Sequence, residues 1–497
     1  MELFNIFHGM ATVLSEPSIL MYVFLGVIAG VFVGALPGLT ATTGCALLLP
    51  FTFGHDPLQG ILMLVGVFCG GIYGGSLSAI LLKTPGTPAA VATMMDGFPM
   101  SEKGQAGRAI GLATAASFIG GTIGALVMTV LAPKLAQLGL AFGPPEFFAL
   151  TLFGLTMIVA VSGDNLVRGV LAAAIGLWIT TVGFDPIAGS SRYTFGIREL
   201  LGGVELIPIL VGLFGVTQVF MRVEKLLVFP KAIAGERYFP RRSDLLATKW
   251  TAVKSALIGV FVGSVPGAGC DIAAFAAYSE LKRSEGPDNT LGTGNPKGIV
   301  APEAANNAAT AGALIPMLSL GVPGDAVTAV LLGALTIHGF EPGPVFFTTN
   351  LDLIYALFAG VILAQFALLI VGLSLTGLFA RLIQIDQRIM MPVILFLCMI
   401  GSYSMRYSLF DMYVALAFGC VGYVFEKVRI PLSPLLLGVV LGTLSEQNLR
   451  RSLIMSHGDV RIFLQRPISL GLTLAALIAV VLMVLRTRRP SAGMRTG

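Results

Sequence analysis

The sequence is poor in charge. Only 11% of its residues are Asp, Glu, Lys or Arg and 55% are hydrophobic, whereas soluble chains carry roughly 25% charged residues. A chain of 497 residues with so little charge cannot cover itself toward water, so an ordinary soluble domain is excluded and an integral membrane protein is implied. Cations are missing from the start, since no Lys or Arg precedes Lys83. The opening "MELFNIFHGM" has no basic leader, so no cleaved signal peptide is expected. The positive-inside rule then places residues 1–17 as a non-cytoplasmic tail. The five cysteines (Cys45, Cys69, Cys270, Cys398, Cys420) form no C-x-x-C pair, which excludes a zinc ribbon and a disulfide framework. The histidines (His8, His55, His338, His457) fall at loops or span ends, and no G-x-S-G nucleophile motif occurs. Little is left for a membrane hydrolase beyond the acid pair Asp271 and Asp325. The net charge of +5 comes from residues flanking apolar runs, so it reports topology rather than nucleic acid.

What the chain does have is a phrase written twice. "GVFVGALPG" starts at Gly30 and "GVFVGSVPG" at Gly259. Six of the eight positions from 31 to 38 are identical to those from 260 to 267. Pro37 and Pro266 are 229 residues apart (266 − 37). A second match pairs "LLKTPGTPAAV" from Leu81 with "LSLGVPGDAV" from Leu318, and Pro85 and Pro323 differ by 238 (323 − 85). "DGFP" at Asp96 and "HGFEP" at His338 follow in the same order. Ordered matches of this kind signal an internal duplication.

Each matched phrase puts Pro-Gly inside an apolar run, which a helix interior resists. Segment 250–283 has Lys249 and Lys254 at one end and Lys282 and Arg283 at the other. It reads as a re-entrant helical hairpin entering from the cytoplasm, each arm about half of the ~20 residues a span requires. Segment 18–53 has the same form without flanking cations, so it reads as a hairpin entering from the opposite side. Residues 58–98 and 302–338 read as broken transmembrane helices that cross in opposite senses. The fold class implied is an all-α polytopic membrane protein with an inverted-topology repeat, a design of secondary transporters.

The first repeat covers 18–221, with further spans near 109–132, 145–162, 166–184 and 204–221. A basic cytoplasmic linker, 222–249, joins it to the second repeat, 250–445. That repeat carries spans near 353–378, 391–405, 409–425 and 431–445. Residues 446–497 hold a loop, a last span near 467–485 and the basic tail "RTRRPSAGMRTG", placed in the cytoplasm. The loop 446–466 conflicts with the charge rule, because it carries Arg450, Arg451, Arg461 and Arg466 on the non-cytoplasmic side.

A broken helix at membrane depth survives only where protein or a wet cavity satisfies its backbone. Its free N–H groups suit carboxylates and its free carbonyls suit a cation. The candidate substrate site is therefore Pro37, Gly38, Thr40 and Thr43 at the first tip, Lys83, Thr84, Pro85, Gly86 and Thr87 at the first broken helix, Pro266, Gly267 and Gly269 at the second tip, and Pro323, Gly324 and Asp325 at the second broken helix. In "APEAANNAATAG", Glu303, Asn306 and Asn307 share one helical face. Asn306, Asn307 and Asp271 are the candidate ion ligands. Each has a plainer reading: Asp271 and Asp325 as helix caps, the asparagines as interhelical glue, Glu303 as an interfacial residue, Lys83 as a snorkelling side chain.

The phrases "GALPGLTATTG", "TPGTPAAVATMMDGFPMSEKGQAGRA", "GIVAPEAANNAATAGALIPMLSLGVPGDAVTAVLLGAL" and "RRSLIMSHGDVRIFLQRPIS" together resemble the large membrane subunit of the tripartite tricarboxylate transporters. That resemblance implies a bacterial inner-membrane protein acting with a small membrane subunit and a periplasmic solute-binding protein. It further implies uptake of a citrate-like carboxylate driven by Na+ or H+, no cofactor beyond that ion, and an elevator motion. A passive anion channel and a membrane-embedded enzyme are the rival readings. Saturable counterflow separates a carrier from a channel.

Overall fold

The computed structural model describes residues 2–161, 166–185, 187–224, 239–286, 289–382, 387–404 and 406–487. These are almost entirely helical, with one two-stranded ribbon pairing Gly183–Phe184 with Ser191–Arg192. Among the described residues, seven helices are long and apolar enough to cross a membrane. Residues 2–15, expected as a tail, form helix α1 (Glu2–Ser15). It docks on the helix Leu351–Ser374, and a Cβ on Gly9 would lie 2.4 Å from the Tyr355 carbonyl oxygen.

Both Pro-Gly phrases interrupt helices where expected. The first hairpin is α2 (Pro17–Ala35) and α3 (Ala41–Leu48); the first broken helix is α4 (Pro57–Leu82) and α5 (Ala90–Met100). Then come α6 (Ala106–Gly139), α7 (Pro144–Val161), α8 (Leu166–Ile179), α9 (Leu206–Leu210) and α10 (Thr217–Glu224). A wide-turn π segment, Val211–Val216, joins the last two. The second hairpin is α11 (Arg242–Gly263) and α12 (Gly269–Glu285), and the second broken helix is α13 (Pro296–Leu320) and α14 (Ala326–Ile337).

The two matched phrases pack in the same way. In α2, Gly30 and Gly34 meet α4 so closely that an added Cβ would sit 2.4 Å from the Val67 carbonyl oxygen and 2.1 Å from that of Gly71. In α11, Gly259 and Gly263 meet Ala305 and Ala309 of α13 in the same way, at 2.1 and 2.5 Å. The pairs are related by the same two offsets that relate the phrases, 229 for the hairpin (259 − 30) and 238 for the long helix (305 − 67). Gly66, Gly70 and Gly74 of α4 return the contact onto Val23, Val27 and Val31. Where lipid offers no hydrophobic drive, small residues at four-residue spacing let backbones touch and gain dispersion and Cα–H···O contacts.

Two boundaries differ from the sequence reading in ways that matter to the charges. Arm α11 begins at Arg242, inside the expected linker, because Asp244 takes the Arg108 guanidinium in two hydrogen bonds of 2.7 and 2.6 Å. At 22 residues α11 is about 33 Å long, and α2 at 19 residues about 28 Å, so both first arms are long enough to span rather than half-span. The remainder of the linker, 225–238, lies outside the described residues, as does the tail 488–497. The helix expected to stop at 445 runs from Leu432 to Met455. Its Arg450 reaches Asp185 at 2.7 Å beside Glu446, and Arg192 reaches Glu446 at 2.6 Å. Of the four arginines that conflict with the charge rule, Arg450 is thus paired at the ribbon and Arg466 with Glu146 at 2.6 Å.

Candidate substrate and ion site

The four broken elements converge. A cavity of about 520 Å³ is lined by Thr40, Ala41 and Thr42 from the first tip, Thr87 and Pro88 from the first break, Gly267 to Ile272 from the second tip and Asp325 to Val327 from the second break. Its remaining wall comes from Ile72 of α4, Phe214 and Gln218 on one scaffold segment, and Glu426, Pro431, Leu432, Ser433 and Leu437 on others.

Each break is stitched by backbone rather than left open. The Gly86 N–H donates to the Gly75 carbonyl (3.2 Å), so the chain after α4 folds back on its own helix. Gly324 turns back on Ala313, the residue 238 positions after Gly75; an added Cβ would lie 2.7 Å from its Cα. The Gly267 N–H donates to the Gly324 carbonyl at 2.7 Å, joining the second tip to the second break. The halves are joined as well: Asp271 accepts the Ala89 N–H at 3.0 Å across the cavity rim. Gly38, Gly267 and Gly269 have φ of 86°, 88° and 63°, left-handed values that a side chain resists.

Of the sequence candidates, Thr40, Thr87, Gly267, Gly269, Asp271 and Asp325 line the cavity. Thr40 is the N-cap of α3, accepting from the Thr43 N–H at 3.3 Å. Asp325 caps α14 in a reciprocal box with Thr328 (2.8 Å each way), so its cap role is real. Its second oxygen, Oδ2, lies 3.8 Å from Cys270 Sγ. Asp271 sits in the first turn of α12, exposed to the cavity. Pro37, Pro85, Pro266, Pro323, Gly86 and Gly324 do not line the cavity; they set the breaks. Gly38 and Thr43 stand just behind the first tip, and Thr84 beside the first break.

Lys83 does not reach the cavity. As the left-handed C-cap of α4 (φ 56°) its side chain turns outward, is exposed, and lies 5.2 Å from the Phe98 ring centroid. The buried cation near the tips is Arg222, which sequence reasoning passed over. An arginine that opens a basic linker at the end of an apolar run looks like an interfacial anchor.

Asn306 and Asn307 lie inside α13, behind the cavity wall. Among the described residues both polar atoms of the Asn306 amide are buried without a partner, as are Asn307 Oδ1 and Thr87 Oγ1. Asn306 shares an angular face with Ala313, seven residues on, and Ala313 packs on Gly324 at the second break. Glu303 is fully buried rather than interfacial, and binds Ser76 of α4, Thr93 of α5 and Ser117 of α6 at 2.5, 2.5 and 2.9 Å. Asp96, of the "DGFP" phrase, takes the N–H groups of Gly292, Gly294 and Asn295 and the Tyr278 hydroxyl, tying α5 to the loop before α13.

Known proteins resemble this chain throughout. The model of the tripartite tricarboxylate transporter TctA family matches residues 20–437. An uncharacterized 52.8 kDa protein from the TAR-I region of Agrobacterium vitis is 34% identical over 98% of this chain and 97% of its own length. An uncharacterized protein from the TAR-II region of the same organism is 38% identical over 46% of this chain and 97% of its own length. No solved structure matches.

Proposed function

This chain belongs to the tripartite tricarboxylate transporter TctA family, and on that premise we propose that it is the large membrane subunit of a secondary carrier. It takes a tricarboxylate-like anion from a periplasmic binding protein and moves it across the bacterial inner membrane, coupled to Na+ or H+, in company with a small membrane subunit. Its N-terminus is non-cytoplasmic and its C-terminus cytoplasmic. The observation that carries the reading is the convergence of two hairpin tips and two helix breaks on one cavity. The amides that open α3 and α14 have no acceptor within their helices and offer partial positive charge to an anion. The unpartnered amide oxygens of Asn306 and Asn307, with the cavity carboxylate of Asp271 and the carbonyls around Pro266 and Pro323, offer the oxygen donors a hard cation takes.

The charge flanks give the two repeats opposite orientation. The hairpins and broken helices move together as a transport domain. The scaffold against which they move includes α7, α8 and the helix Leu432–Met455, where α8 and that last helix share their own glycine contact at Gly176 and Gly438. Counterflow in proteoliposomes holding the chain, its small subunit and loaded binding protein tests the reading. Labelled carboxylate is expected to accumulate transiently against unlabelled internal substrate and to saturate. Linear flux without trans-stimulation indicates a channel, and chemical conversion of the substrate an enzyme; either outcome refutes the proposal.

A further inference from the structure

We propose that Arg222, with the N-terminus of α3, forms the subsite that holds a carboxylate group of the transported anion. This rests on the carrier reading above and assigns the polarity of its site. Arg222 is the one arginine buried among the described residues, with 8% of its surface exposed. Its Nη1 has no hydrogen-bond partner there. Other arginines hold carboxylates: Arg108 with Asp244, Arg406 with Asp411, Arg450 with Asp185, Arg466 with Glu146. A buried guanidinium nitrogen without a partner is costly, so it marks a place where an anion arrives.

Its position fits that role. Arg222 and Gly38 stand just behind the cavity wall, the guanidinium so close to Gly38 that a Cβ there would be 1.3 Å from Nη2 and 2.5 Å from Nε. Two residues on, Thr40 caps α3, and Ala41 and Thr42 line the cavity with the first amides of that helix. Gln218, one turn before Arg222 on the same helix face, lines it too. A planar fork beside a helix N-terminus matches the two oxygens of a carboxylate. The second tip and second break differ, placing the carboxylates of Asp271 and Asp325 at the cavity, whereas the first tip has Arg222 just behind its wall. The two tips, alike in backbone, therefore divide the work: anion at the first, coupling cation at the second. A substrate with several carboxylates also reaches the cation bound at the second tip, which makes the two affinities interdependent.

Carrier assays with citrate, succinate and acetate as probes test this. Arg222→Gln is expected to raise the KM for citrate and succinate about ten- to a hundredfold, the loss of a charge-assisted hydrogen bond, with Vmax little changed. Arg222→Lys is expected to be intermediate, since it keeps charge and loses the fork. Gly38→Ala, which displaces the guanidinium but also strains a turn at φ 86°, is expected to raise KM as well; Arg222→Lys carries the test if Arg222→Gln does not accumulate in the membrane. Unaltered KM in every variant that accumulates overturns the proposal while leaving a working wild-type carrier intact. A wild-type chain that exchanges no carboxylate overturns the carrier reading instead. A fall in Vmax at constant KM, rescued by adding Glu426→Gln, shows that Arg222 pairs with Glu426 in another state and also overturns it.

Discussion

Glu303 separates a structural carboxylate from a coupling one. It is fully buried, does not line the cavity, and its two oxygens accept three hydroxyls from three helices. Replacing it with Leu removes all three acceptors. Charged hydrogen bonds are worth about 1.5–3 kcal/mol each, which sets an upper bound. Each of the three hydroxyls also has a backbone carbonyl one turn back to which it can rotate, so a net loss of about 1 kcal/mol per bond, roughly 3 kcal/mol in all, is the expected cost. Replacing it with Gln keeps one acceptor oxygen for Ser76 and Thr93 and supplies an N–H to Ser117. It also removes a charge whose burial is unfavourable. Its expected cost is below about 1.5 kcal/mol. Unfolding of the purified chain in detergent measures both, and proteoliposome uptake across pH measures function. Glu303→Gln is expected to transport with wild-type pH dependence, because the clamp needs an acceptor and the cavity does not touch the carboxylate. If Glu303→Gln abolishes pH-driven uptake while remaining as stable as wild type, Glu303 carries the coupling proton and the clamp interpretation fails. If it is as unstable as Glu303→Leu, the hydrogen-bond accounting fails.

Asn306→Ala is expected to raise the Na+ concentration for half-maximal uptake several-fold while the protein still accumulates in the membrane; an unchanged Na+ curve removes Asn306 from the ion site. Gly34→Leu is expected to destabilise by at least ~1–3 kcal/mol and to lower membrane yield, because even a Cβ there lies 2.1 Å from the Gly71 carbonyl oxygen; normal yield and unfolding temperature would show that the seam can open. Asp185, in the loop outside the spans, is held well below the usual carboxylate range by the Ala188 N–H, Arg450 and the Ile187 N–H. A carboxyl lowered on folding stabilises above its unfolded pKa and loses that contribution as pH falls toward the folded one. Thermal unfolding should therefore show wild type losing its margin over Asp185→Asn as pH drops below about 4; a margin independent of pH contradicts the pairing.

The sequence by itself determined the membrane environment and the breaks. Low charge over apolar runs leaves lipid as the only solvent for so much surface, and Pro-Gly inside such a run cannot continue a helix whatever surrounds it. The duplicated phrases even carried the packing, since Gly30 and Gly259 are needed wherever two backbones touch. Which side chains fill the site was decided only by tertiary structure. Lys83 follows an apolar run and Arg222 opens the basic linker, yet a left-handed cap turns Lys83 outward, while Arg222 is pressed onto Gly38 from a helix 184 positions away (222 − 38). Glu303 read as an interfacial acid because its three hydroxyl partners lie 186 to 227 residues away in the chain. Local sequence fixes where a backbone breaks, through φ, ψ and hydrogen bonds between near neighbours. The direction of a charged side chain depends on which distant helix supplies its partner, and no local pattern records that.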